Sequence, residues 1–191
     1  MTSRLLVRLA ALAAVAVFGT TMAKIVPVFK SIRLRNCDDD DGYPNHFVWS
    51  KVTRPSTYVS LMSGDFLVTK PGNNNLKLVC EVFKCEDRDG AKCKPSVKLN
   101  FDQMCDMIKM KGKAWSPIFA NFKPTIECPF IADTTYRMRN ATIDTEAASK
   151  IIRLVSGVEK YYWKIKGTVI KNGRSELACI EYMVKVDQIE V

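Results

Sequence analysis

Over much of the chain, hydrophobic and polar residues alternate with a period of two. That spacing puts successive side chains on opposite faces of a strand. Leu76, Leu78, Cys80 and Val82 form one such face, and Val97-Lys98-Leu99-Asn100-Phe101 repeats the pattern. Between Thr135 and Thr142, Tyr136 and Met138 alternate with Arg137 and Arg139. From Tyr161 to Ile170, Tyr161, Trp163, Ile165 and Val169 oppose Lys164 and Lys166. Lys171-Asn172-Gly173-Arg174 then reads as a hairpin turn, and Ile180, Tyr182, Val184 and Val186 share one face of the return strand. Val59 to Val68 is rich in strand formers, with Ser63-Gly64-Asp65 placed to turn or bulge it. Turn clusters lie at Pro71–Asn75 and Glu86–Gly90. Two segments break the alternation. Asp102 to Met110 predicts a short helix with Asp102 as N-cap. Thr145 to Val155 groups its apolar residues as either a short amphipathic helix or an apolar loop. Many short strands, frequent turns and no βαβ rhythm predict an all-β sandwich.

The N-terminus follows a different pattern. Leu9 to Phe18 is an uncharged apolar run of ten residues, preceded by Arg4 and Arg8 and followed by Thr21-Met22-Ala23. This predicts a secretory signal peptide over residues 1–23, since a membrane-spanning helix needs about 20 apolar residues. Cleavage there takes 23 residues and two arginines from a chain of 191 residues and net charge +9, leaving 168 residues and +7. The expected product is one secreted or lysosomal-lumen domain, residues 24–191. At 47% hydrophobic and 26% charged residues the composition is globular, which excludes a disordered or collagenous chain.

Secretion changes how the seven cysteines are read. Zinc sites use closely spaced thiolate pairs, but the nearest spacings here are Cys80-x4-Cys85 and Cys85-x7-Cys93. Disulfides are the expected use in an oxidising compartment, and the odd count leaves one thiol free or bonded to another chain. Cys80, on a predicted inward strand face, is the candidate. Catalytic chemistry is poorly supplied. His46 is the only histidine, and no nucleophile elbow, phosphate loop or metal-binding histidine pair occurs. No cofactor, no metal and no nucleic-acid partner is expected. Asp38 to Asp41 reads as a solvated acidic turn rather than a calcium loop. Lys109, Lys111, Lys113, Arg137 and Arg139 supply either a surface for anionic headgroups and polyanions or a solubilising face. Asn140-Ala141-Thr142 is the only glycosylation sequon.

The cysteine contexts carry a resemblance. Asn36-Cys37-Asp38, Met104-Cys105-Asp106-Met107-Ile108, Cys128-Pro129-Phe130 with Thr135-Tyr136, and Leu177-Ala178-Cys179-Ile180 occur in order from about Ser31 onward. In this order and spacing the chain resembles the ML domain family of lipid-recognition proteins, most nearly its ganglioside activator branch and secreted insect relatives. The resemblance implies an immunoglobulin-like β-sandwich whose sheets splay around an apolar cavity for acyl chains or sterols. It implies the pairs Cys37–Cys179, Cys85–Cys93 and Cys105–Cys128, with Cys80 left over. Residues expected to line such a cavity are Leu78, Val82, Phe130, Tyr136, Met138, Trp163, Ile165, Ile180, Tyr182 and Val184; an ordinary sandwich core would use the same positions. Ile151, Ile152, Leu154 and Val155 lie where the branch has a mobile hydrophobic loop, and are expected either as a membrane-touching lip or as a helix packed on the core. The chain departs from the branch in three places. It lacks the further disulfide before Cys-Pro-Phe, has Asp133-Thr134 for the glycine before Thr-Tyr, and carries Cys80.

Two functions follow as expectations. The first is a secreted, non-enzymatic lipid carrier or activator that touches membranes transiently and hands its cargo to a receptor or enzyme. The alternative is a secreted protein-interaction or chemosensory module with a filled core.

Overall fold

The computed structural model describes residues 25–37, 42–152, 157–173 and 175–190. The expected leader, the Asp38–Asp41 run, Leu154, Val155 and the hairpin residue Arg174 lie outside the described residues. The predicted alternation appears as strands β3 (Leu61–Val68), β4 (Leu76–Cys85), β5 (Cys93–Phe101), β7 (Thr134–Ala141), β8 (Tyr162–Lys171) and β9 (Ser175–Glu190). To these are added β1 (Ile25–Asn36), β2 (Asn45–Thr53) and the short β6 (Phe122–Lys123). The strands form two antiparallel sheets, ordered β1-β9-β8-β4-β5 and β2-β3-β7-β6. The fold is thus a disulfide-stapled all-β sandwich.

Tight turns and close approaches set the registers. The Asn172-Gly173 turn, with both residues at positive φ, joins β8 to β9. Ser63-Gly64-Asp65 does not turn β3; it bulges it, shifting register against β7 between Met62 and Gly64. Gly64 has no room for a side chain, since a Cβ there would sit 2.9 Å from the Phe47 ring and from the Trp49 carbonyl oxygen.

One long side of the sandwich is sealed where β1 meets β2. Asn36 Nδ2 donates to the Phe47 carbonyl (2.8 Å), and the Phe47 N–H donates to Asn36 Oδ1 (2.8 Å). Ser50 Oγ donates to the Leu34 carbonyl. The other side, at the free edges of β5 and β6, is bridged by the segment carrying α1 (Met104–Lys109) and α2 (Ser116–Ala120). Asp102 is not the N-cap of α1. Gln103 occupies that position without a side-chain cap, and the Asp102 carboxylate pairs instead with Lys77 Nζ at 2.9 Å. The stretch that read as helix or loop forms α3 (Thr145–Ile152), with the Ala147 N–H donating to the Asp144 carboxylate (2.9 Å).

Three disulfides join Cys37 to Cys179, Cys85 to Cys93 and Cys105 to Cys128. The second closes the β4–β5 hairpin, whose turn is held by the Ala91 and Lys92 N–H groups donating to Asp87. Those hydrogen bonds hold the Asp87 carboxyl below its ordinary range. On the outer face of the larger sheet, buried Glu181 accepts hydrogen bonds from Arg33 (2.9 Å) and Arg35 (3.0 Å). Burial alone would raise its pKa, but the arginines outweigh it and hold the carboxylate below the usual value.

Candidate ligand cavity

The inner faces of the two sheets do not close on each other everywhere. Cross-strand pairing places Leu78 opposite Val169, Cys80 opposite Gly167, and Gly167 opposite Ile180, so these residues share the face of the larger sheet that meets the smaller one. Leu78, Cys80, Ile165, Ile180 and Tyr182 lie on that face and yet are only half-buried. The cause is a cavity of about 210 Å³ between the sheets. Gly167 leaves an unfilled position between Cys80 and Ile180 in its wall.

The far wall is buried and aromatic. Phe47 of β2 packs edge-to-face on Phe66 of β3 at 5.2 Å, and Phe122 of β6, Ile126 and Phe130 continue that side. The segment bridging the open side contributes Met104 from α1 and Phe119 from α2. The Cys105–Cys128 bridge ties α1 to the chain between Ile126 and Phe130, so it sets this wall. Of the fourteen lining residues none is charged, and the Tyr182 hydroxyl and Cys80 thiol are the polar side-chain groups. Burial pushes the Cys80 thiol up to about 11, which keeps it protonated at neutral pH. The Tyr182 phenol is likewise pushed upward by burial, against an opposing hydrogen bond between its hydroxyl and Ser31 Oγ at 2.6 Å.

The apolar surface runs on toward the free edge. Leu99 and Val97 of β5 pair with Cys80 and Val82, so they lie on the cavity face, and they are 44% and 47% exposed. Phe101, the cross-strand partner of Leu78, lines a groove of about 830 Å³ with Met107, Met110, Ala114, Trp115 and Ala147. Phe101 and Trp115 meet edge-to-face at 6.1 Å. Lys113 and Lys150 stand in the same groove beside Asp102 and Asp106.

Of the ten residues expected to line a cavity, Leu78, Phe130, Ile165, Ile180 and Tyr182 do so. The other five face inward but are not in its lining. Tyr136 and Met138 are locked into the main core, at 2% and 1% exposure. Trp163 and Val184 belong to a second core cluster with Phe29, Ala148, Val158 and Val186, and Val82 packs against it. Ile152 also packs against this cluster, on the underside of α3. The Ile151 side chain, Leu154 and Val155 are outside what is described. Cys80 carries a free thiol in the cavity wall. Asn140 is exposed on β7 with φ at +52°, its N–H donating to Ser63 Oγ. His46 Nδ1 lies 3.3 Å from the Tyr43 carbonyl, away from the cavity lining.

Sequence reasoning missed most of the far wall. Phe119 and Phe122 fall in the aromatic-rich stretch Trp115–Phe122, where no alternation marks an inward face. Gly167, an isolated glycine inside an alternating strand, is a recognisable signal of open space or close approach. Among the described residues, no helix is long and apolar enough to cross a membrane. The sequence matches no protein-family model and no curated protein.

Proposed function

We propose that the protein is a secreted, non-enzymatic carrier that holds the apolar part of a lipid between its two sheets. It then presents that cargo to a partner protein, in the manner of the ML domain family. One observation carries the reading: the inner face of the larger sheet is half-buried around an uncharged cavity that continues to an exposed apolar edge. A filled core would bury those side chains fully. Three disulfides suit an oxidising compartment, which is the support for secretion.

Size limits the cargo. An apolar cavity of about 150 Å³ accommodates benzene. The cavity of about 210 Å³ therefore takes a ring or a short run of methylenes. A longer acyl chain extends past Leu78 and Phe101 into the neighbouring groove. Each buried methylene contributes about 0.8 kcal/mol before the costs of association, so a chain spanning both spaces binds firmly. Membrane contact is assigned to the side where Lys109, Met110, Lys111 and Lys113 are all exposed. Lysines near a surface of anionic lipid contribute about 1 kcal/mol each.

Native mass spectrometry of the protein purified from a secretory host tests this directly. The expected spectrum shows lipid-sized mass increments that vanish on denaturation. Bare polypeptide and glycan masses in every gentle preparation would sink the carrier reading. The same spectrum reports whether Asn140 carries a glycan, as this reading proposes.

A further inference from the structure

A second pocket of about 210 Å³, partly open to solvent, lies behind Tyr182, under the segment that leads into β3. Its walls are mixed. Phe29, Val59 and Ile143 are apolar, while Ser31, Ser60, Thr142 and Thr145 bring hydroxyls. The Tyr58 ring, 59% exposed, stands at its rim, and no charged side chain lines it.

Two of the hydroxyls are buried, with Ser31 at 1% and Ser60 at 9% exposure. Ser60 is fully used: its Oγ accepts the Ser31 N–H (3.0 Å) and donates to the Phe29 carbonyl (3.3 Å). Ser31 is not. Its Oγ and the Tyr182 hydroxyl lie 2.6 Å apart, and either can be the donor. Two hydroxyls hold two hydrogens, and one hydrogen bond between them consumes one. When Tyr182 donates to Ser31, the Ser31 O–H is left to donate into the pocket that Ser31 lines. Buried donors in proteins normally find an acceptor.

We propose that this pocket is a second binding site, separate from the inter-sheet cavity. Its ligand is a small uncharged molecule with a hydrocarbon body and one acceptor oxygen, such as an alcohol, ketone or ester. Ser31 Oγ donates to that oxygen, while Phe29, Val59 and Ile143 cover the hydrocarbon. A carboxylate or ammonium is disfavoured because it would lose its hydration among neutral walls without a counter-charge.

The test uses 1-hexanol and hexanoate at pH 7.5, titrated by NMR into the mature protein and two variants. Ser31→Ala removes the donor. Gly167→Leu obstructs the inter-sheet cavity and leaves this pocket untouched. Hexanol is expected to shift the amides of Ser31, Ser60 and Thr142 and to bind at least about tenfold more tightly than hexanoate. Ser31→Ala weakens hexanol binding about tenfold, the order expected for one lost hydrogen bond to a buried partner. Gly167→Leu changes it less than about twofold. The proposal is overturned if hexanol does not bind, if hexanoate binds equally well, or if Ser31→Ala has no effect. It is also overturned if Gly167→Leu abolishes binding, because hexanol would then occupy the inter-sheet cavity. Loss of the carrier function elsewhere leaves these outcomes unaffected.

Discussion

Gly167→Leu is expected to reduce the affinity for an acyl-chain probe such as cis-parinaric acid by roughly thirtyfold while the fold persists. The added Cβ meets only ordinary contacts, 3.6 Å from Leu78 Cδ1 and 3.9 Å from the Ile180 carbonyl oxygen. The rest of the side chain has to extend into the cavity that Leu78, Cys80 and Ile180 surround. Displacing two or three methylenes of ligand costs about 2 kcal/mol at about 0.8 kcal/mol each, which is the predicted factor. Stability should change by no more than about 1 kcal/mol, because leucine replaces a glycine that weakens a strand interior and fills space rather than opening it. Fluorescence titration and urea denaturation, run on the same variant, separate the two effects. Unchanged affinity in a folded Gly167→Leu protein would move the ligand site away from the sheets.

The second large effect concerns the bridge between Cys37 and Cys179. It closes a loop of 142 residues in sequence separation, joining the residue after β1 to the first third of β9. In the chain-entropy model a loop of that length contributes about 5 kcal/mol by restricting the unfolded chain, and 3–5 kcal/mol is a realistic expectation. Total stabilities are about 5–15 kcal/mol, so Cys37→Ala with Cys179→Ala removes roughly a fifth or more. The double variant should melt about 10 °C or more below the parent. The β1–β9 ladder, which pairs these strands over most of their length, keeps the native structure assembled at low temperature. The effect is read from the urea midpoint. A loss below about 1 kcal/mol would mean that the unfolded chain is held compact by other contacts.

Much of this architecture was legible in the alternation, and the exceptions have identifiable causes. β4, β5, β7, β8 and β9 each keep a period of two over most of their length. β1 and β2 went unseen because bulges interrupt them, with register shifts between Ser31 and Arg33 and between Phe47 and Trp49. A bulge moves the following side chains to the other face, so one alternation does not run through either strand. Proline at position 27 further disguises β1.

The cavity was half legible for a related reason. Alternation identifies the inner face of a strand but not what covers each point along it. Trp163 and Ile165 share a face of β8, yet Trp163 is covered by the Ala148 and Ile152 side of α3 while Ile165 opens on the cavity. That difference depends on where α3 docks, which no local pattern specifies. Phe119 was missed because α2 is only five residues long, too short for a helical period to register, and Met104 and Ile126 because neither a single helical turn nor a loop shows which side chain meets the sheets. Ser31, which the second pocket depends on, is an inward-facing serine whose partner lies 151 residues away.

Cys80 offers the most direct test of the central claim, that ligand occupies the space between the sheets. Its thiol is free and stands in the cavity wall. With a pKa raised by burial from 9.0 to about 11, its thiolate fraction at pH 8 is about a hundredfold below that of an ordinary cysteine. Modification by methyl methanethiosulfonate should therefore be slow at pH 8 and keep rising with pH toward 11 instead of levelling near 9. Saturating cis-parinaric acid should slow it at least a further tenfold. An unchanged Cys80 modification rate with the probe fully bound would contradict the account.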